Sequence, residues 1–311
     1  MTLGLSKPGY CTYCPRECAA QREIGDFGYC MSNTGFNIGS ICVHRGEEPA
    51  ISGTHGICNI FFSSCNLQCI YCQNHQVSSN KGNAIGNEYT LDVVLDGICN
   101  LLDTGCKAVG FVSPSHCILQ VKAIIDGLHE REYHPIFVYN SNGYDKVESL
   151  RSLEGMIDIY LPDFKYMDAE IAGQYSDAAD YPGVAQAALK EMMRQKGPVL
   201  HYLDDKHASS GIIVRHLVLP GATENSKKVL RFIAEECSIK LHVSLMSQYY
   251  PTPAVASHPQ LGRSITKAEY RAVTDEMEQL GFINGWLQDF ESHRNYRPDF
   301  SKTHPFEHKE S

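Results

Sequence analysis

Residues 60–74 read IFFSSCNLQCIYCQN: an apolar and aromatic run, two serines, then cysteines at 65, 69 and 72. Soft-metal sites usually take four thiolate or imidazole ligands, and this stretch offers three. Cysteines at i, i+4 and i+7 would share one face of a helix, so a buried thiol stripe is one reading. A structural zinc site with His75 as fourth ligand is a second. The third is a 4Fe–4S cluster on three thiolates, with one iron left without a protein ligand. The run before the cysteines predicts a strand that delivers all three thiols at its carboxyl end.

That strand is the first of a series. Apolar or β-branched runs recur at 57–62, 108–112, 136–139, 156–161, 212–219 and 239–246. Between them lie segments with helical patterning at 91–103, 118–131, 146–153, 185–195 and 227–236. A last one, 267–280, opens with Thr266 and Glu269 in capping-box spacing and stops before Gly281. Strand followed by helix, repeated six times, predicts a parallel α/β sheet with helical crossovers, flat or curled into a partial barrel. In either architecture functional groups gather at the carboxyl ends of the strands. The turns expected there are SSCNLQCIYC, SPSH (113–116), NSNGYD (140–145), PDFKY (162–166), PGATEN (220–225) and QYYP (248–251). Residues 1–56, rich in Cys and Gly, fall outside the alternation and are expected to form a Cys-rich N-terminal metal-binding cap, with residues 57–311 forming the main unit and its C-terminal extension.

Composition narrows the function. The chain has 311 residues and a formal net charge of −9, so it lacks the basic surface that grips phosphate backbones, and nucleic acid is not an expected partner. No apolar run reaches the length of a membrane span, and MTLGLSKPGY lacks the apolar core of a signal peptide, which predicts a cytoplasmic protein with no membrane partner. Thirteen cysteines in a reducing compartment read first as metal ligands, and seven of them fall in two groups within the first 72 residues. The second group is Cys11, Cys14, Cys18 and Cys30, a complete set of four. Zinc and an auxiliary Fe–S cluster both satisfy that count, with a structural metal slightly favoured because a small Gly-rich cap has little core of its own.

The CxxxCxxC spacing after the first strand of a six-fold βα chain resembles the radical S-adenosylmethionine (AdoMet) superfamily. The likeness extends to the pyruvate formate-lyase activating enzyme-like subfamily through CTYCPREC, HRGEEPAISG, IFFSSCNLQCIYCQN, YNSNGYD, DIYLPDFKY, RHLVLPG, QYYP and NYRPDF. The resemblance implies a (β/α)6 partial TIM-type barrel. It implies a 4Fe–4S cluster on Cys65, Cys69 and Cys72 whose open iron chelates AdoMet, which is cleaved to methionine and a 5′-deoxyadenosyl radical. It places Tyr71 near the adenine. SPSH stands where many relatives have a Gly-Gly-Glu-Pro turn that holds the AdoMet amino group. It has neither glycine nor glutamate, so Ser113, Ser115 or a backbone carbonyl would supply that contact. NSNG resembles an Asp-Thr-Asn-Gly turn, which assigns Asn140 and Asn142 to the cofactor, and Asp163 and Lys165 match an Asp-x-Lys near the AdoMet carboxylate. Arg215 and His216 also match a family strand.

His116, on a strand-end loop, is the histidine expected to be worth testing for catalysis. The family name implies hydrogen abstraction from a glycine of a partner enzyme and an electron donor of flavodoxin or ferredoxin type. Another peptide side chain or a small metabolite is the alternative substrate. A non-catalytic Fe–S or zinc protein is the alternative of another class.

Overall fold

The computed structural model describes residues 9–82, 84–203, 207–294, 297–302 and 304–306. Two residues of the NYRPDF stretch, Asn295 and Tyr296, and the polar tail after Phe306 lie outside them.

The strands are β1 (Phe36–His44), β2 (Ile57–Phe62), β3 (Asn87–Tyr89), β4 (Ala108–Val112), β5 (Ile136–Asn140), β6 (Ile159–Tyr160), β7 (His201–Tyr202), β8 (Ala208–Leu217), β9 (His242–Met246) and β10 (Gly285–Leu287). They form one mixed α/β sheet in the order β10-β9-β8-β6-β5-β4-β2-β1-β3, with β7 paired to β8. From β2 to β10 every pair along that path is parallel. Strands that follow one another in both sequence and space require a helical crossover each time, because a parallel neighbour cannot be reached by a tight turn. Every residue of β2 and of β4 is buried, as expected of parallel strands covered on both faces.

The crossovers match the helical patterning closely. Helices span Leu91–Leu102, Ile118–Glu130, Val147–Arg151, Tyr181–Lys196, Thr223–Phe232 and Lys267–Gln279, with an additional one at Ala169–Ser176. The Thr266 hydroxyl accepts from the Glu269 amide and the Glu269 carboxylate accepts from the Thr266 amide, closing the capping box. Their apolar faces join the strands in one large core that includes Ile60, Val109, Phe111, Ile124, Tyr139 and Val243.

Two features depart from the six-fold expectation. A seventh parallel strand, β10, continues the sheet beyond β9. Its three residues, GWL, are only partly buried and too few to show alternation, so periodicity could not reveal it. At the other edge, β1 pairs antiparallel with β2, and β3 with β1. The sheet therefore runs across residue 56, the boundary expected between cap and main unit. Ile38 buries into the large core with Phe62, and beyond an irregularity between Ile38 and Ser40 the strand buries Cys42 and His44 opposite Asn59 and Ile57.

Candidate active site

The loop after β2 carries Cys65, Cys69 and Cys72 to the wall of a cavity of about 420 Å³ at the carboxyl ends of the parallel strands. Asparagines hold the loop in place. The Asn80 side chain accepts from the Cys65 amide at 3.2 Å and donates to the Cys65 carbonyl at 3.0 Å. Asn66 donates to the Tyr144 carbonyl at 2.8 Å and accepts from Asn142 at 2.8 Å. Burial pushes the Cys65 thiol up to about 11 and the Cys69 thiol up to about 12. A neutral thiol is a poor ligand, yet each of the three sulfurs receives a donor. The Asn142 amide reaches the Cys65 sulfur at 3.3 Å, the Ser176 hydroxyl the Cys69 sulfur at 2.9 Å, and the Ser78 hydroxyl the Cys72 sulfur at 3.2 Å. Donors aimed at sulfur suit thiolate ligands of a metal group, whose negative charge they stabilise. Three thiols, each met by a donor (Cys65 also by the Leu67 amide at 3.4 Å), and an adjoining cavity fit a cluster that leaves one metal position open to a small molecule.

Tyr71 is also on the cavity wall and nearly fully buried. Its hydroxyl meets that of Tyr166 at 2.5 Å, and Tyr166 meets Ser176 at 2.7 Å. Each hydroxyl has one proton. Because Ser176 donates to Cys69, it must accept from Tyr166, which must accept from Tyr71. The chain Tyr71–Tyr166–Ser176 thus points its dipoles at the Cys69 sulfur.

The remaining expected residues divide into two groups. Ser113, Asn140, Asn142, Asp163 and Lys165 all line the cavity. Ser115 and His116 do not. The short helical turn Pro114–His116 turns both inward, leaving them 1 % exposed. The His116 Nε2 contacts the Ser63 carbonyl at 3.2 Å, and burial holds the imidazole down at about 4. It is a neutral interior group joining the β2 loop to the β4 loop, and it has no access to the cavity. His216 is likewise internal, bonded at Nδ1 to the Phe164 carbonyl (2.6 Å) and at Nε2 to the Ser226 hydroxyl (2.8 Å).

Arg215 is the centre of the polar side of the cavity. Its Nε donates to Asp163 at 2.8 Å, its Nη1 to Glu47 at 3.1 Å and its Nη2 to Asn140 at 2.5 Å. Lys165 contacts the other oxygen of Asp163 at 2.6 Å. Burial would push the Asp163 carboxyl up, but Arg215 and Lys165 outweigh it and hold the group below the usual carboxylate range. Glu47 also accepts from Asn59 at 3.0 Å and Asn140 at 3.2 Å. Sequence reasoning quoted HRGEEPAISG but singled out neither Glu47 nor Glu48. The available signal was two adjacent acids before a proline that starts a helix, in a segment otherwise headed for the core.

The N-terminal cysteines form a separate group. Cys11, Cys14 and Cys30 are buried and Cys18 is exposed. Burial first, with Cys30, Cys11 and Cys18 adding to it, pushes Cys14 up to about 12, so the other three thiols lie near enough to act on it. Among the described residues no three His, Cys, Asp or Glu side chains stand close enough to hold a single ion. The four-thiol donor set fits a metal group in kind. Arg16 joins this segment to the cluster loop, its Nε donating to the Asn66 carbonyl at 2.9 Å.

No protein-family model matches the chain. An uncharacterized protein of Methanocaldococcus jannaschii is 27% identical over 276 residues, covering 86% of this chain and 74% of that protein. Among solved structures, SuiB of Streptococcus suis bound to precursor peptide SuiA is similar with a TM-score of 0.48 and 12% identity, over 74% of this chain and 48% of that one. The protein anSMEcpe with bound AdoMet gives a TM-score of 0.45 and 13% identity, over 75% and 59%. A domain of pyruvate-formate lyase-activating enzyme from Bacteroides vulgatus gives 0.40 and 12%, over 55% and 93%. The chain spans about half to three-fifths of the first two of these structures. No described helix is long and apolar enough to cross a membrane.

Proposed function

We propose that this chain is a radical AdoMet enzyme. Cys65, Cys69 and Cys72 would hold a 4Fe–4S cluster at the mouth of a partial barrel, beside a cavity that takes AdoMet and a substrate. The observation that carries the reading is that every one of the three cysteine sulfurs accepts at least one hydrogen bond, Cys65 two, in a set of thiols facing a cavity. Bound there, the cluster would supply the one electron, from an external reductant, that cleaves the AdoMet sulfonium and so provides for hydrogen abstraction.

The protein's own residues bind and orient. Lys165, charged and paired to Asp163, can meet a carboxylate. Ser113 and Asn142 offer polar contacts at the same wall, and the Tyr71 ring, edge-on to Tyr175 and Tyr249, is braced beside the cysteines. The substrate implied by the family resemblance is a glycine of a partner enzyme, with another peptide side chain or a small metabolite as the alternative. A flavodoxin- or ferredoxin-type donor in the cytoplasm would reduce the cluster. Cys11, Cys14, Cys18 and Cys30 would hold the second metal group of an N-terminal cap.

The test is 5′-deoxyadenosine release from anaerobically loaded protein under dithionite. Release that disappears in Cys69→Ala, with the metal at the N-terminal cysteines retained, is the expected result. A fully loaded, reduced cluster that releases none overturns the proposal and leaves a non-catalytic metalloprotein.

A further inference from the structure

Three carboxylates, Glu47, Glu48 and Asp163, and two cations, Arg215 and Lys165, line the cavity. The cations are already engaged. Lys165 pairs with Asp163, and the Arg215 guanidinium divides its donors among Asp163, Glu47 and Asn140. Glu48 forms no ion pair among the described residues. Its side chain is more than nine-tenths buried and its Oε2 has no hydrogen-bond partner, with the Arg215 charge, at a distance, and the Ser244 hydroxyl favouring its ionised form. A second open polar atom lies in the same cavity, His44 Nδ1, on a ring also more than nine-tenths buried and packed 4.0 Å from Phe306. Trp286 and Phe61 add aromatic wall.

Arg215 acts on the Glu48 carboxyl at a distance but makes no ion-pair contact with it, so the buried group is only partly compensated, and a ligand cation would offset the remaining cost. An ammonium group has the right complement for the open atoms: several donors, no acceptor, and attraction to aromatic faces. We propose that the Glu48 end of the cavity is a recognition site for an alkylammonium group, so that the substrate of this chain carries a primary amine. The assignment rests on the reading of the cavity as the reaction chamber and narrows its substrate class. The amine could belong to a lysyl side chain or to a free metabolite. Burial pushes the Glu48 carboxyl up from its usual range against the opposing pull of Arg215, the direction expected of an acid that lacks a close cation.

The chain contains a single tryptophan, Trp286, and it stands on this cavity wall, so intrinsic fluorescence reports occupancy directly. The anaerobically loaded protein is titrated with n-butylammonium and with n-butanol, which has the same shape and no charge. We expect the cation to bind at least about tenfold tighter, equivalent to about 1.4 kcal/mol. Glu48→Gln should abolish the preference, and Glu48→Asp, which shortens the reach but keeps the charge, should retain part of it. Equal binding of the two probes, or an unchanged preference in Glu48→Gln with Glu48→Asp behaving alike, overturns the proposal.

Saturating AdoMet should leave the preference in place; displacement of n-butylammonium by AdoMet would assign the acidic end to AdoMet and overturn it as well. A lysine-centred pentapeptide that binds tighter than n-butylammonium points to a protein substrate, and one that fails to compete points to a free amine. Loss of 5′-deoxyadenosine release with the ammonium preference intact counts against the radical reading alone, and the reverse pattern counts against this one alone.

Discussion

The Ser176 hydroxyl donates to the Cys69 sulfur at 2.9 Å, joining two residues 107 positions apart. Behind it stand Tyr166 and Tyr71, each hydroxyl passing its proton toward the sulfur. Hydrogen bonds to ligand sulfur stabilise the more negative, reduced state of a cluster and raise its potential. In the cluster-loaded enzyme proposed above, Ser176→Ala should therefore lower the potential and reduce AdoMet cleavage by about 10–100-fold at unchanged iron content. Tyr166→Phe, which removes only the support behind Ser176, should fall between. An electron-paramagnetic-resonance redox titration checks both; a potential unchanged in Ser176→Ala would show that the contact does not tune the cluster.

Gly143, in the NSNG turn, has φ +81°. A β-carbon there would overlap the Asp163 carbonyl oxygen and the Tyr181 hydroxyl. The left-handed conformation alone costs a side-chain-bearing residue about 1–3 kcal/mol, and the overlap adds to it. Gly143→Ala should lower the thermal midpoint by at least about 3 °C, read by circular dichroism.

Arg215→Met should destabilise the fold by about 3–5 kcal/mol, because it leaves Asp163 and Glu47 buried without their main cation. Arg215→Lys keeps the charge but cannot serve three acceptors from one planar group, so it should recover only part of the loss. Denaturant unfolding compares the three proteins.

Glu269 provides a pH signature far from the cavity. Hydrogen bonds from Arg263 first, then from the Thr266 and Gly221 amides, outweigh burial and hold its carboxyl down at about 2. The folded value lies below the unfolded one, so the stabilisation is fully present above the ordinary glutamate range and is lost as pH falls toward 2. Wild type should exceed Glu269→Gln in stability at pH 7, and the gap should close between about pH 4.5 and 2. Thermal unfolding across that interval checks the closure.

Local patterning carried most of the fold. The runs at 57–62, 108–112 and 136–139 and the helices that follow them appear within a residue or two of their expected limits, because burial on both faces demands continuous apolar stretches. β10 escaped because three half-exposed residues hold no period, and β1 because its role depends on a partner, β2, rather than on its own pattern. The site divides in the same way. Cys65, Cys69 and Cys72, Asn142, Asp163 and Lys165 are marked by residue type and by position after a strand. Ser115 and His116 share that position and still turn away, because the helical turn at Pro114–His116 rotates them into the interior.

The amino-acid order by itself determined the α/β repeat, the strand end that bears the thiols, and the count of three against four in the two cysteine groups. These follow from short-range periodicity and spacing, which need no knowledge of distant neighbours. Only the tertiary structure decided which groups meet across the sheet: Ser176 on Cys69, Arg215 on Asp163 and Glu47, and Glu48 brought to the cavity with an oxygen left open. Those contacts join residues tens to more than a hundred positions apart, and their geometry is set by how the strands align, a property of the folded sheet that no local stretch contains.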